Sequence, residues 1–356
     1  MTMKSLLAFS FLLPTLAGGL ELAAQDDNAT PLKPPRSSLF AGPEALGTNL
    51  GVQEIVDVLR PPGAATVPEG LGSAVPEDSA PGEARVSANA GIRAYRTSNV
   101  MRQESGLSGA GVLEFSLGAN LAFESFTAFE REVEPSLTFM GQRAYYGQFS
   151  IQGDDASKSD LKNVLDYEFR MLNFSGITQL NDKWLGTAAF EYNELRSFRE
   201  GQKKYHAFSP VFSMARMEPL TETSMYSLDL SARYAFTKSI SAYEIPGVFE
   251  DDGDNWQASL NLTYARAFGP DGRLLVLPSV GISRTHYLKN LHSGRVDYLW
   301  TAGVSAMYSL TEHVGLQAFL TYGNKSANGK GRELLGSSKK YENLDVGVAI
   351  TGQYDF

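Results

Sequence analysis

The chain has no cysteine among its 356 residues. That excludes a disulfide framework, a thiolate metal site and a lipid-modified N-terminal Cys. Histidine is almost as scarce, with four in the whole sequence. His206, His286, His292 and His313 are scattered, so their spacing points to no metal centre or cofactor site. Positive charge is not in excess either. The net charge is -9, which argues against a nucleic-acid partner and the concentrated basic surface it would need. After the N-terminal region no apolar run approaches the roughly 18 residues of a membrane-spanning helix. Mean hydropathy is slightly negative, at -0.19. A soluble all-β sandwich fits those totals. So does a membrane barrel, because every second residue of each strand faces inward and is polar.

What is present begins with a leader. Lys4 supplies a positive n-region, and Leu6 to Leu13 form an apolar run closed by Pro14. Small residues follow at Ala17, Gly18, Gly19, Ala23 and Ala24. This pattern predicts a signal peptide over 1–24, cleaved after Ala24, with Ala17 or Gly19 as the alternative. Residues 25–85 are crowded with proline, including the Pro34-Pro35 and Pro61-Pro62 pairs. Proline at that density resists both helix and sheet, so a largely disordered periplasmic linker is expected. Within it Val52, Ile55, Val56 and Leu59 sit at helical spacing and predict a short helix near 52–60. Such a helix is marginal alone. It can dock on a periplasmic partner or plug a barrel from inside. Gln53 to Val58 also resembles a TonB box.

From 86 to 356 the sequence alternates with a period of two. The last segment is the clearest. Leu344, Val346, Val348, Ile350, Tyr354 and Phe356 share one face, and Asp345, Thr351, Gln353 and Asp355 share the other. Asn255 to Phe268, Ser224 to Phe236 and Val296 to Leu310 repeat the pattern. Weaker versions bring the expected total to about twelve strands, an even number as in single-chain bacterial barrels. Connections alternate in length. Asn181-Asp182, Gly269 to Gly272 and Thr311-Glu312 are short, while Gly323 to Asn343, Thr237 to Asp254 and Ile151 to Lys162 are long. Short periplasmic turns and long outer loops produce that asymmetry. Aromatics are expected in two outward girdles. One holds Phe123, Trp184, Tyr226, Phe268, Tyr308, Tyr354 and Phe356, and the other holds Tyr145, Phe149, Tyr167, Tyr192, Tyr234, Phe236, Trp256, Tyr298 and Tyr322. The expected fold class is therefore all-β, an antiparallel transmembrane barrel with a periplasmic N-terminus.

The terminal strand resembles the closing strand of bacterial outer-membrane β-barrel proteins. That resemblance implies that Tyr354 and Phe356 belong to the signal read by the barrel-insertion machinery. Gly91 to Arg102, reading Gly-Ile-Arg-Ala-Tyr-Arg-Thr-Ser-Asn-Val-Met-Arg, resembles the opening hairpin of porin-like outer-membrane barrels, some linked to exopolysaccharide export. It implies the outer membrane of a Gram-negative bacterium as the location, with lipid and lipopolysaccharide as surroundings.

The inward face then sets function. The strand phases predict lumen-facing charges at Glu114, Asp166, Glu168, Arg170, Glu191, Asp229, Arg233, Asp297, Asp345 and Asp355. Mixed charges of this kind set a transverse field in a small-solute pore, or pair across a closed lumen. Outer loops are basic at Arg196, Arg199, Lys203 and Lys204, and at Lys325, Lys330, Arg332, Lys339 and Lys340. Those side chains can meet lipopolysaccharide phosphates or simply be solvated. Glu250 to Asn255 matches only a fragment of a calcium loop. A lipid hydrolase of the phospholipase A type would carry His-x-Ser on one strand. Two residues after the four histidines stand Phe208, Leu288, Gly294 and Gly315, so the motif is absent. A protease-like mouth would need Asp251 or Asp252 beside His286 or His292. Three readings follow: a passive pore or export component, a structural or adhesive barrel, and a surface hydrolase. The first, without enzymatic activity, is preferred.

Overall fold

The computed structural model describes residues 85–99, 109–147, 166–197, 203–221, 223–239, 253–269, 272–289, 292–311, 313–329 and 340–356. The expected leader, the proline-rich linker and the helix near 52–60 lie outside them. So do Phe149, Asp251, Asp252 and most of the long connections.

The described residues form thirteen strands. They are β1 (Arg85–Thr97), β2 (Ala110–Ala122), β3 (Phe126–Ala128), β4 (Arg131–Tyr146), β5 (Tyr167–Asn181), β6 (Trp184–Ser197) and β7 (Lys203–Thr221). Then follow β8 (Ser224–Ser239), β9 (Asn255–Phe268), β10 (Leu274–Tyr287), β11 (Arg295–Ser309), β12 (Val314–Gly329) and β13 (Tyr341–Asp355). Each pairs antiparallel with its neighbours, and β2 pairs directly with β4. The ring closes where β13 meets β1, from Ser87↔Asp355 to Thr97↔Asp345. All strands but β3 thus make a closed barrel of twelve. Closure pairs the backbone donors and acceptors that an open edge would leave bare. At the seam Gly347 is required by contact, because a Cβ there would lie 2.3 Å from the Tyr95 Cβ and 2.5 Å from the Ala94 carbonyl oxygen.

Strand phase sorts the side chains. Ile92, Phe115, Phe174, Phe190, Phe212, Trp300, Val348 and Ile350 point outward and are exposed. The cross-strand partners of the other phase, such as Arg93↔Glu114 and Ser136↔Ser175, point inward. An apolar surface of that extent on a closed barrel matches lipid, not water. No helix of the described residues is long and apolar enough to cross a membrane.

The two ends differ. At the end holding Arg85 and Phe356, the connections are tight and chemically specified. Asn181 Oδ1 accepts the backbone N–H groups of Lys183 (3.0 Å) and Trp184 (3.1 Å). Thr311 Oγ1 does the same for His313 and Val314. Gly269 and Gly272 take left-handed φ values of 86° and 63°, open to glycine without a Cβ penalty. One feature here was not expected. The β2–β4 connection carries β3, which folds onto β4 as a small hairpin. Its tip residues Phe129 and Glu130 have φ of 51° and 61°, an uncommon state for non-glycine residues. Arg131 to Pro135, just after this tip, are the first residues of β4. At the opposite end β12 continues to Gly329 and β13 begins at Tyr341, so part of the predicted last loop is wall.

Candidate functional site: charged bands on the two faces of the wall

Inside the barrel, two arginine–glutamate pairs stand on facing arcs. Arg93 on β1 reaches Glu114 on β2, Nη1 to Oε1 at 3.2 Å. Arg233 on β8 approaches Glu191 on β6 at 3.5 Å. In the strand order β1 and β8 stand half-way round the ring from each other. Arg93 is further held by the aromatic faces of Phe319 and Tyr95, 4.6 and 5.5 Å from its guanidinium carbon. The Nε atoms of Arg93 and Arg233 are buried without a hydrogen-bond partner. Glu191 also accepts from Asn193, and Asp229 accepts from the Ser227 hydroxyl at 2.9 Å.

A second interior group sits toward the loop end. Arg295, fully buried, grips Asp297 with Nε to Oδ1 at 2.5 Å and Nη2 to Oδ2 at 2.7 Å. Lys325 completes it, 3.0 Å from Asp297 Oδ2. Lys325 was expected in a basic outer loop, but β12 carries it inward. Next to it Asn343 joins β13 to β1, accepting from Thr97 at 2.8 Å and donating to Asp345 at 2.9 Å. Two apolar patches also line the interior. Leu185, Met217, Met225, Leu275 and Leu277 pack together near the turn end, and Met140, Phe169 and Met171 near the loop end.

The predicted lumen-facing residues therefore divide. Glu114, Glu191, Asp229, Arg233, Asp297 and Asp345 share the inward phase. Asp355 has the same phase in its pairing with Ser87, and its side chain is not among those described. Asp166 precedes β5 at its loop end and accepts the backbone N–H of Tyr146 at 2.9 Å, so it fastens the rim. Glu168 and Arg170 need correction. They pair with Arg143 and Gly141 on the phase of Leu172 and Phe174, the outward face. The inward positions of β5 are Tyr167, Phe169 and Met171, so Tyr167 is also misplaced in the girdle and lies inside against Tyr146.

Sequence reasoning missed that the outward face is charged near the loop end. Arg143 and Arg170 both bond Glu168, at 3.3 and 2.5 Å. Arg196 and Lys203 both bond Glu194, the latter at 2.9 Å, and the Tyr192 hydroxyl donates to the same carboxylate at 2.8 Å. His206 packs beside Tyr192. Further round, Arg284 lies over the Trp256 ring at 4.5 Å, and Trp256 Nε1 donates to His286 Nδ1 at 3.0 Å. His286 is thus a wall residue of the outward face, and His292 stacks on Tyr287. Among the described residues no three His, Asp or Glu side chains converge as a metal site. Tyr354 and Phe356 are exposed at the turn end and in edge-to-face contact, with ring centroids 4.9 Å apart.

Ring closure, outward apolar belt and aromatic edges define a transmembrane β-barrel of the outer-membrane type. No protein-family model matches the sequence, and no curated protein matches it. Solved structures of low identity share the architecture. An outer membrane channel from Pseudomonas putida is 12% identical, covers 79% of this chain and 100% of its own, and has a TM-score of 0.46. The β domain of the Bordetella autotransporter BrkA is 13% identical, with 76% and 98% covered and a TM-score of 0.38. LpxR from Salmonella typhimurium is 9% identical, with 75% and 99% covered and a TM-score of 0.38. The likeness is one of barrel architecture, and no residue role is carried across.

Proposed function

We propose that the chain is a passive outer-membrane pore for small hydrophilic solutes, with its turn end periplasmic and its loop end extracellular. The facing pairs Arg93–Glu114 and Arg233–Glu191 carry this reading. In each of these two pairs one cation meets one acid, so the pairs add little net charge to the path and present donors and acceptors side by side on facing arcs. Polar solutes can exchange water for these fixed groups, while the apolar patches narrow the remaining section. Such a constriction selects by size and dipole before charge. Short turns and exposed terminal aromatics support the orientation, since both are features of periplasmic ends.

Single-channel conductance of the mature chain in planar bilayers tests the proposal. A steady open conductance is expected. Conductance that appears only when 25–85 is removed would make that segment a plug. Silence in both forms would sink the pore and favour a structural or adhesive barrel. A hydrolase reading would return only if lipid or peptide cleavage were measured and vanished on substitution of His286 or His292.

A further inference from the structure

The interior holds one group of polar atoms that the wall itself does not satisfy. Asn173 on β5, Glu191 and Asn193 on β6, Ser209 on β7 and Arg233 on β8 share the inward phase of four adjacent strands. Asn173 stands opposite Glu191, and Glu191 opposite Ser209, so these three make one row across the wall. Asn173 Oδ1, Asn193 Oδ1, Ser209 Oγ and Arg233 Nε are buried without a hydrogen-bond partner. They are four of the eight such side-chain atoms among the described residues, and they include every such oxygen. Asn193 and Ser209 are 6% and 0% exposed. The geometry points to a binding site here for a neutral, polyhydroxylated solute, an inference that rests on the pore reading and names its class of solute.

A buried donor or acceptor without a partner costs free energy that a ligand can return. The set is mixed. Two amide oxygens accept, the guanidinium Nε–H donates, and the hydroxyl does either. A sugar hydroxyl also donates and accepts, so one kind of group answers all four atoms. Neighbouring strands stand about 4.8 Å apart, so one ring carrying several hydroxyls reaches two strands at once. Glu191 and Arg233 set the charge. Glu191 Oε1 lies 3.5 Å from Arg233 Nη1 and accepts from Asn193 Nδ2 at 2.5 Å. The carboxylate and the amide oxygens repel an anion, and the guanidinium repels a metal ion. A neutral ligand rich in hydroxyls meets neither penalty.

The neighbours favour a sugar over water alone. Glu191 and Arg233 side chains are 14% and 25% exposed, so they form the edge of the group toward the lumen. The last torsion of an Asn side chain is soft, and its rotation turns the amide oxygens to that edge. Met171 stands opposite Asn193 and belongs to the apolar patch with Met140 and Phe169. A sugar ring has C–H faces for that patch and hydroxyls for the polar row. Water has only the second. The other interior pair lacks these parts. Arg93 is covered by the Phe319 and Tyr95 rings, and Glu114 has no unpartnered oxygen beside it.

The test is a ligand-observed NMR titration of the full chain in a zwitterionic detergent, with methyl glucoside and methyl glucuronide as probes. The two differ only in a hydroxymethyl group against a carboxylate. Wild type should bind the glucoside and prefer it to the glucuronide. Asn173→Leu/Ser209→Ala should weaken glucoside binding at least about tenfold, as for the loss of two hydrogen bonds. Ser209→Ala alone, which barely changes volume, should weaken it about threefold. Both variants should keep the wild-type urea midpoint, because the removed atoms bond nothing in the wall. Absence of glucoside binding by wild type would overturn the proposal. So would equal or tighter binding of the glucuronide, or unchanged affinity in the double variant. A lowered midpoint in both variants would mean that these atoms serve the fold, and would overturn it too. Conductance separates the two readings. A silent barrel that binds the glucoside through these residues defeats only the pore, and a conducting barrel without glucoside binding defeats only the site.

Discussion

The barrel uses arginine–glutamate pairs on both faces of one wall, and the two sets are built differently. Inside, Arg93–Glu114 and Arg233–Glu191 are one cation to one acid, with their partners on neighbouring or next-neighbouring strands. Outside, Glu168 and Glu194 each hold two cations. The inner set is balanced and partly shielded, so it shapes a field without adding net charge to the path. The outer set has two cations to each acid among the described residues, with Arg143 and Arg170 about half exposed. Residue type alone does not distinguish them. Stoichiometry and face do.

The sharpest way to break this comparison is to remove the wall both sets share. Gly347→Val should prevent the β1–β13 seam from closing, since the added carbons have no space against Tyr95 and Ala94. Loss of the compact, heat-modifiable band in cold gel electrophoresis would show it, and a normally folded variant would contradict the close approach. Next in size is Arg295→Ala. It leaves the buried Asp297 carboxylate with Lys325 as its remaining cation and should lower stability by about 3 kcal/mol, as for other broken buried pairs. Urea unfolding in lipid vesicles reads this, and an unchanged midpoint would mean that Asp297 is solvated. Reversing the inner band with Arg93→Glu/Arg233→Glu should move the zero-current potential toward cation preference in a salt gradient, with the fold intact. No movement would place the conducting path elsewhere. The smallest effect belongs to the outer band. Arg143→Gln should change stability by about 0.5 kcal/mol or less, because exposed ion pairs contribute little. A loss comparable to that of Arg295→Ala would erase the distinction between the faces.

Much of the wall is legible in the alternation. Asn255–Phe268 is strand over the predicted span, and the twelve barrel strands fall where the amphipathic segments lie. The turns announce themselves through Asn181, Gly269, Gly272 and Thr311, whose chemistry is local. β5 shows where that legibility ends. Tyr167, Phe169 and Met171 alternate with Glu168 and Arg170, and then Asn173 and Ser175 alternate with Leu172 and Phe174. Polarity changes sides half-way along one strand, so a single rule of polar inside and apolar outside gives opposite answers for its two halves. β3 escaped notice for a different reason. Three residues are too short to show a period, and only pairing with β4 makes them a strand.

By itself the sequence determined the class, the strand positions and the alternation of short and long connections. Each depends on period-two patterning or local turn chemistry, which neighbouring residues carry. Only the tertiary structure decided the phase of β5, the inward turn of Lys325, the packing at Gly347 and the charged arc on the outer wall. These depend on which residue of one strand stands beside which residue of the next. A period of two says that a strand has two faces, and ring closure says which of them looks in.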